Sequence, residues 1–291
     1  MSALPSELGP SELGPSEPGP SDPGSDGSGL RGSLPNGSGP NGSGPNGSGA
    51  NGSGAGEREW LASVRVDPAA APSWLVPLLR VAGTATTDEL SRHDIAPPAT
   101  GARRAAVLVL FGETTEHGPD LLLQERAGGL RDHAGQVSFP GGGREPTDDG
   151  PVDTALREAA EETGLDPAGV VPLALLPELF IPPSGFRVTP VLAHWRDPVA
   201  VAPVDPAETA TVVRVPVAEL ADPGHRFLVR HPSGWVGPAF EVAGMVVWGF
   251  TGGLVDSLLR MGGWERPWSG GPTRDLDRAW VDARQRSRSA R

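Results

Sequence analysis

Residues 141–165 read GGGREPTDDGPVDTALREAAEETGL, and the second half of this stretch has the marks of a helix. Pro151 suits the first helical position, where its missing N–H would have no partner in any case. Asp153 adds negative charge to the first turn, residues 154–163 contain no breaker, and Gly164 stands where a left-handed cap would end the helix. On that helix Glu158 and Glu162 are four residues apart and Glu161 is three beyond Glu158, which gathers their carboxylates on one face. Ala155, Leu156, Ala159 and Ala160 are left to face the body of the protein.

Three like charges in one patch repel and raise one another's pKa unless a cation sits among them. Carboxylate oxygens without cysteine suit a hard divalent cation, Mg²⁺ or Mn²⁺, of the kind usually shared with substrate phosphates. The competing reading is a solvated acidic face in which Arg157 pairs with Glu161 at helical spacing. Composition of the helix alone favours the solvated face.

The whole stretch, however, resembles the Nudix box. That pattern is a Gly, five residues, a Glu, seven residues, then R-E-apolar-x-E-E-x-G-apolar. Gly143, Arg157, Glu158, Ala159, Glu161, Glu162, Gly164 and Leu165 satisfy it, and Asp149 stands in place of the first Glu. An alignment anchored on Gly142 with one extra residue puts Asp148 or Asp149 in that role. The resemblance implies Glu158 and Glu162 as the first metal ligands and Glu161 as a further one. It also implies Glu161 or Glu158 as the group that orients or deprotonates water, and Arg157 as the residue holding the carboxylates.

Residues 122–142, LLQERAGGLRDHAGQVSFPGG, abut this box without a gap. They resemble the motif of the coenzyme A pyrophosphatase branch of that family at Leu122, Leu123, Arg126, Arg131, Gly135, Phe139, Pro140, Gly141 and Gly142. Gln124 departs from it, standing where the branch usually has Thr or Ser. Arg126, Arg131 and His133 form a basic group ahead of the acidic helix, and a substrate with several phosphates needs both. Arginine holds phosphate through paired N–H bonds, and Gly141 and Gly142 let backbone approach closely.

The front of the chain is of another kind. Residues 5–24 repeat PSELG, PSELG, PSEPG, PSDPG, and residues 35–54 repeat PNGSG three times and then ANGSG. Such tracts have almost nothing apolar to bury, so residues 1–56 are expected to be a disordered tail that chemistry does not need. The N-G-S triplets match the glycosylation pattern, but no charged and apolar leader precedes them and no apolar run approaches a membrane span, so a cytoplasmic protein is expected. The tail's five acids and one arginine carry −4 of the −12 net charge and leave −8 for the rest. An acidic domain is a poor binder of nucleic acid, and neither a nucleic-acid nor a membrane partner is expected. Cysteine is absent, which excludes disulfides and thiolate chemistry, and lysine is absent too, so cationic contacts to anions fall to arginine or charged histidine.

Between these landmarks, residues 105–111 read as a fully buried strand and residues 120–126 as its neighbour, with further strands at 170–176, 187–195 and 210–217. Glu208, just before the last of these, matches a position near which many Nudix enzymes place a helper acid. Residues 227–229 and 242–248 read as a closing hairpin, residues 248–259 as the final helix, and the tryptophans at 235, 248, 264, 268 and 280 as packing. The fold implied is α/β, a Nudix α/β/α sandwich with a mixed sheet over residues 57–268, with residues 269–291 as a flexible tail. The activity implied is divalent-metal-dependent hydrolysis of the diphosphate of coenzyme A or acyl-coenzyme A. ADP-ribose or another nucleoside diphosphate derivative is the alternative substrate, and a non-catalytic nucleotide-binding module is the rival class. A homodimer is left open.

Overall fold

The computed structural model describes residues 60–61, 64–90, 102–129, 133–182 and 184–289. The low-complexity front and Arg131 lie outside these residues. After two short 3-10 turns, Pro68–Ala70 and Ser73–Leu75, come helices α1 (Val76–Ala82) and α2 (Thr87–Leu90). Strands β1 (Arg103–Thr114), β2 (Gly118–Arg126), β3 (Val137–Ser138) and β4 (Gly141–Gly143) lead into helix α3 (Pro151–Thr163). There follow β5 (Val170–Leu175), β6 (Leu179–Ile181), β7 (Phe186–Trp195), β8 (Thr209–Pro216) and the single turn α4 (Val217–Leu220). The last part comprises β9 (Arg226–Arg230), β10 (Val236–Val242), β11 (Met245–Val247), α5 (Gly249–Met261), β12 (Thr273–Asp275) and α6 (Leu276–Ser289).

The main sheet runs β3-β2-β1-β7-β5, with β4 paired to β1, β6 to β7 and β8 to β2. β1 and β7 are parallel, in register from Arg103 opposite Phe186 to Phe111 opposite His194. The other pairings within this sheet are antiparallel, so it is mixed. A strand covered on both faces is apolar at nearly every position, which is why residues 105–111 read as a continuous run. On one face Ala106, Leu108 and Leu110 pack with Trp60, Val191, Ala193 and Trp195 and with Ala155 and Ala159 of α3. On the other, Val109 and Phe111 pack with Leu75 and Leu78 and with Leu254, Val255 and Leu258 of α5. Helices on both faces of a mixed sheet make the α/β/α sandwich.

Beyond it the structure departs from expectation. The segments expected as a closing hairpin do not pair with each other: residues 226–230 pair with 236–240, β10 separates β9 from β11 in a second sheet of order β11-β10-β9-β12, and the supposed tail supplies both β12 and α6. α6 buries Leu276, Ala279 and Ala283 against Phe227, Val229, Ala239 and Val246. Those three residues, with Trp280, lie at helical spacing on one stripe, and the arginine-rich remainder of the helix masks the stripe to a reader of composition. Trp235, Trp248 and Trp280 pack around this cluster, as expected of them, and Trp264 packs on the main core. Leu276→Ala is therefore expected to cost roughly 2–5 kcal/mol, the range for a buried Leu deletion, read as a lowered thermal midpoint; a flexible tail would give no shift. No helix among the described residues is long and apolar enough to cross a membrane.

Candidate active site

β4 and α3 build the site. α3 begins at Pro151 and ends at Gly164, which takes the left-handed conformation and donates its N–H to Ala160 O at 3.0 Å. This is the helix expected, with Ala155 and Ala159 buried beneath it. β4 lies antiparallel beside β1, with Gly142 opposite Ala106 and Gly141 opposite Val107. A Cβ on Gly142 would fall on the Glu158 carboxylate, so only glycine leaves room for that side chain between helix and strand. Gly142→Ala is expected to cut activity by roughly 10²-fold through displacement of Glu158, on the scale of a misplaced catalytic group; the check is steady-state turnover with the thermal midpoint as control.

Each of the three acids has a distinct setting. Glu162 has 12 % of its side chain exposed. Its Oε2 accepts from Gly141 N–H at 2.9 Å and from the Gln124 amide Nε2 at 2.6 Å, while Arg126 Nη1 stands 3.9 Å from Oε1. Burial pushes its carboxyl up to about 7, although the bonds from Gly141 and Gln124 work the other way. Glu158 is raised by burial against the pull of Arg157, whose Nη1 lies 3.2 Å from its Oε1. Glu161 is exposed and accepts from Arg157 Nη1 at 3.0 Å, the pair expected from helical spacing.

Arg157 is the hub. Its Nε and Nη2 each donate to Asp148 at 3.0 Å, and Nη2 also donates to Gly143 O at 3.0 Å. Asp148 is buried and accepts further bonds from Thr154 Oγ1 and Glu145 N–H, both at 2.8 Å. Burial alone would raise its pKa, but the Arg157, Glu145 and Thr154 bonds outweigh it and hold the carboxyl below the usual range. Of the two aspartates the sequence leaves open, Asp148 is thus the one joined to Arg157. Asp149 is exposed, and its N–H donates to Asp153 Oδ2 at 3.2 Å.

The remaining candidates separate. Arg126 stands against Glu162, as described. His133 sits in a turn with φ +58°, exposed, with Nδ1 3.0 Å from Gln136 Oε1, an arrangement that shapes the loop. Glu208 is exposed, and what it offers the site is its carbonyl, which accepts from Ala127 N–H at 2.8 Å next to the end of β2. Gln124 is, in the sequence, only a departure from a motif. In the structure it is fully buried and fastens Glu162; a buried amide must find a partner, but in the sequence Gln124 merely opens the polar end QER of the run LLLQER, so nothing local marks it.

Among the described residues no three acidic or histidine side chains stand close enough to hold a metal ion as they are placed. Arg157 Nη1 stands against both Glu158 and Glu161, while Glu162 is held by Gly141 N–H and Gln124. Burial raises the pKa of both Glu158 and Glu162, the Glu158 charge adds to the rise at Glu162, and their hard oxygens fit a divalent ion that takes its other ligands from substrate and water.

The acid-and-arginine face on an α/β/α sandwich marks an enzyme domain, and likeness to other proteins supplies the family. The NUDIX domain profile matches residues 101–231. The chain is 36 % identical over 195 residues to the uncharacterised Nudix hydrolase NudL of Cronobacter sakazakii (strain ATCC BAA-894), covering 62 % of this chain and 92 % of that one. The NudL of Klebsiella pneumoniae subsp. pneumoniae is 35 % identical over 191 residues, covering 59 % and 91 %. Among solved structures, the Nudix hydrolase RenU from M. Smegmatis aligns at a TM-score of 0.38 with 20 % identity, over 58 % of this chain and 90 % of that one. The chain belongs to the Nudix hydrolase family.

Proposed function

We propose that the protein hydrolyses the diphosphate linkage of coenzyme A or an acyl-coenzyme A, giving 3′,5′-ADP and 4′-phosphopantetheine or its acyl form. The observation that supports this reading is the meeting of two sequence motifs in one place: Arg126 and Gly141 of the first stand against Glu162 of the second, and Gln124, the departure from the first, bonds the same carboxylate. Glu158 and Glu162 are the residues to hold a divalent cation, Mg²⁺ or Mn²⁺. Such an ion, when bound, neutralises charge on the diphosphate and acidifies water.

The chain's own groups do the rest. Gly141 N–H and Gln124 keep Glu162 in one orientation. Arg157, anchored on Asp148 and Gly143 O, holds Glu158 and Glu161 on the reacting side of α3. One of those two accepts the proton of the attacking water. Arg126, beside Glu162, is the residue to meet the diphosphate with paired N–H donors. A substrate panel with product identification decides the matter. Coenzyme A turned over to 3′,5′-ADP supports the reading; ADP-ribose cleaved while coenzyme A is untouched leaves only the reaction class.

A further inference from the structure

Arg104 at the start of β1, Arg187 at the start of β7 and Arg144 just past β4 gather near one another, and none of them takes part in the scheme above. Strand register places them. Gly142 stands opposite Ala106, and its open side is filled by the Glu158 carboxylate. Side chains two apart on a strand share a face, so Arg104 and Arg144 follow Ala106 and Gly142 on that same face. Arg144 N–H donates to Arg104 O at 2.9 Å, which carries the ladder one step past β4. At about 3.3 Å per residue their backbone lies about 7 Å along the strand from the position of Glu158.

Both guanidinium groups lie over the Trp60 ring, 5.6 Å from its centroid for Arg104 and 5.2 Å for Arg144. Trp60 is buried and fixed by its Nε1, which donates to Thr189 Oγ1 at 3.2 Å. Glu178 is shared, with Arg187 Nη1 at 3.4 Å and Arg104 Nη1 at 3.7 Å. The second distance is too long for a hydrogen bond, and Arg104 Nη1 is covered without one. Trp60 therefore aims Arg104, whose Nη1 pairs with Glu178 by charge but makes no hydrogen bond; 18 % of the side chain remains exposed, and Arg144 is exposed beside it.

We propose that Arg104 and Arg144, backed by the Arg187–Glu178 pair, form a second anion subsite that takes a phosphate monoester of the substrate lying apart from the scissile diphosphate. The inference rests on the diphosphate-hydrolysis reading. Its ligand chemistry is that of the 3′-phosphate of coenzyme A, held by guanidinium N–H donors.

The test compares probes with and without that group on the full chain. Arg144→Gln, at an exposed position, and Arg104→Gln should each weaken adenosine 3′,5′-bisphosphate by about tenfold in calorimetry, the loss of one charge-assisted contact, while AMP stays within about twofold. Arg104→Lys should recover much of the loss because it keeps the charge. kcat/KM should fall by a similar factor for coenzyme A and hold for dephospho-coenzyme A. Equal losses on both probes, or none on either, would overturn the subsite. If the wild type leaves coenzyme A untouched, the substrate assignment fails, yet the bisphosphate-against-AMP comparison still decides the subsite. If Arg104→Gln does not fold, the same comparison on Arg144→Gln alone upholds or overturns it.

Discussion

Glu162→Gln is expected to lower turnover by roughly 10³-fold, about 4 kcal/mol of barrier, for every substrate the protein accepts. The substitution keeps the shape of the side chain and an oxygen that can accept from Gly141 N–H and Gln124. What it removes is one of two half-buried negative charges facing each other across the reacting side of α3. A second readout separates this from misfolding: Mn²⁺ affinity measured by calorimetry should fall with the activity, while the thermal midpoint should hold or rise, since a buried charge has been removed. Unchanged Mn²⁺ binding would mean that Glu162 is not a ligand and that its bonds serve only to fix β4 against the helix.

The second large effect falls on stability. Asp148→Asn removes the charge that anchors Arg157 and is expected to cost about 2–3 kcal/mol, somewhat below the roughly 3–5 kcal/mol for breaking a fully buried pair because Arg157 is 21 % exposed. Its pH dependence has a definite direction. The folded-state pKa of Asp148 is depressed, so its stabilising effect is complete above the unfolded value of about 3.9 and is lost as pH falls through the lower folded value. Urea unfolding should therefore show wild type and variant far apart at neutral pH and converging in acid below about pH 4. Asp149→Asn, at the exposed neighbour, should stay within about 0.5 kcal/mol. A large effect at Asp149 with a small one at Asp148 would restore the alignment anchored on Gly143.

Much of this protein can be read from its residues in order. Pro151 at the start, Gly164 at the end and alanines on one side specify α3 by local rules alone, and 3.6-residue periodicity then gathers Glu158, Glu161 and Glu162. The apolar run at 105–111 requires a strand buried on both faces, and it lies at the middle of the mixed sheet between two helical layers. These features depend on neighbours a few residues away, so sequence determines them.

Contacts between distant segments are decided by tertiary structure. Asp148 and Asp149 are equivalent in a linear reading, but the turn before α3 buries one beneath Thr154 and Arg157 and exposes the other. Gln124 is a lapse in a motif until β2 carries it to Glu162, 38 residues away. The same logic separates the basic group: strand pairing leaves Arg126 beside Glu162, while a turn gives His133 to Gln136. At the C-terminus, Leu276, Ala279 and Ala283 are too few and too spread among arginines to announce a helix. It exists because β9, β10 and β11 offer an apolar surface for that stripe to cover, and burial outweighs the weak local preference.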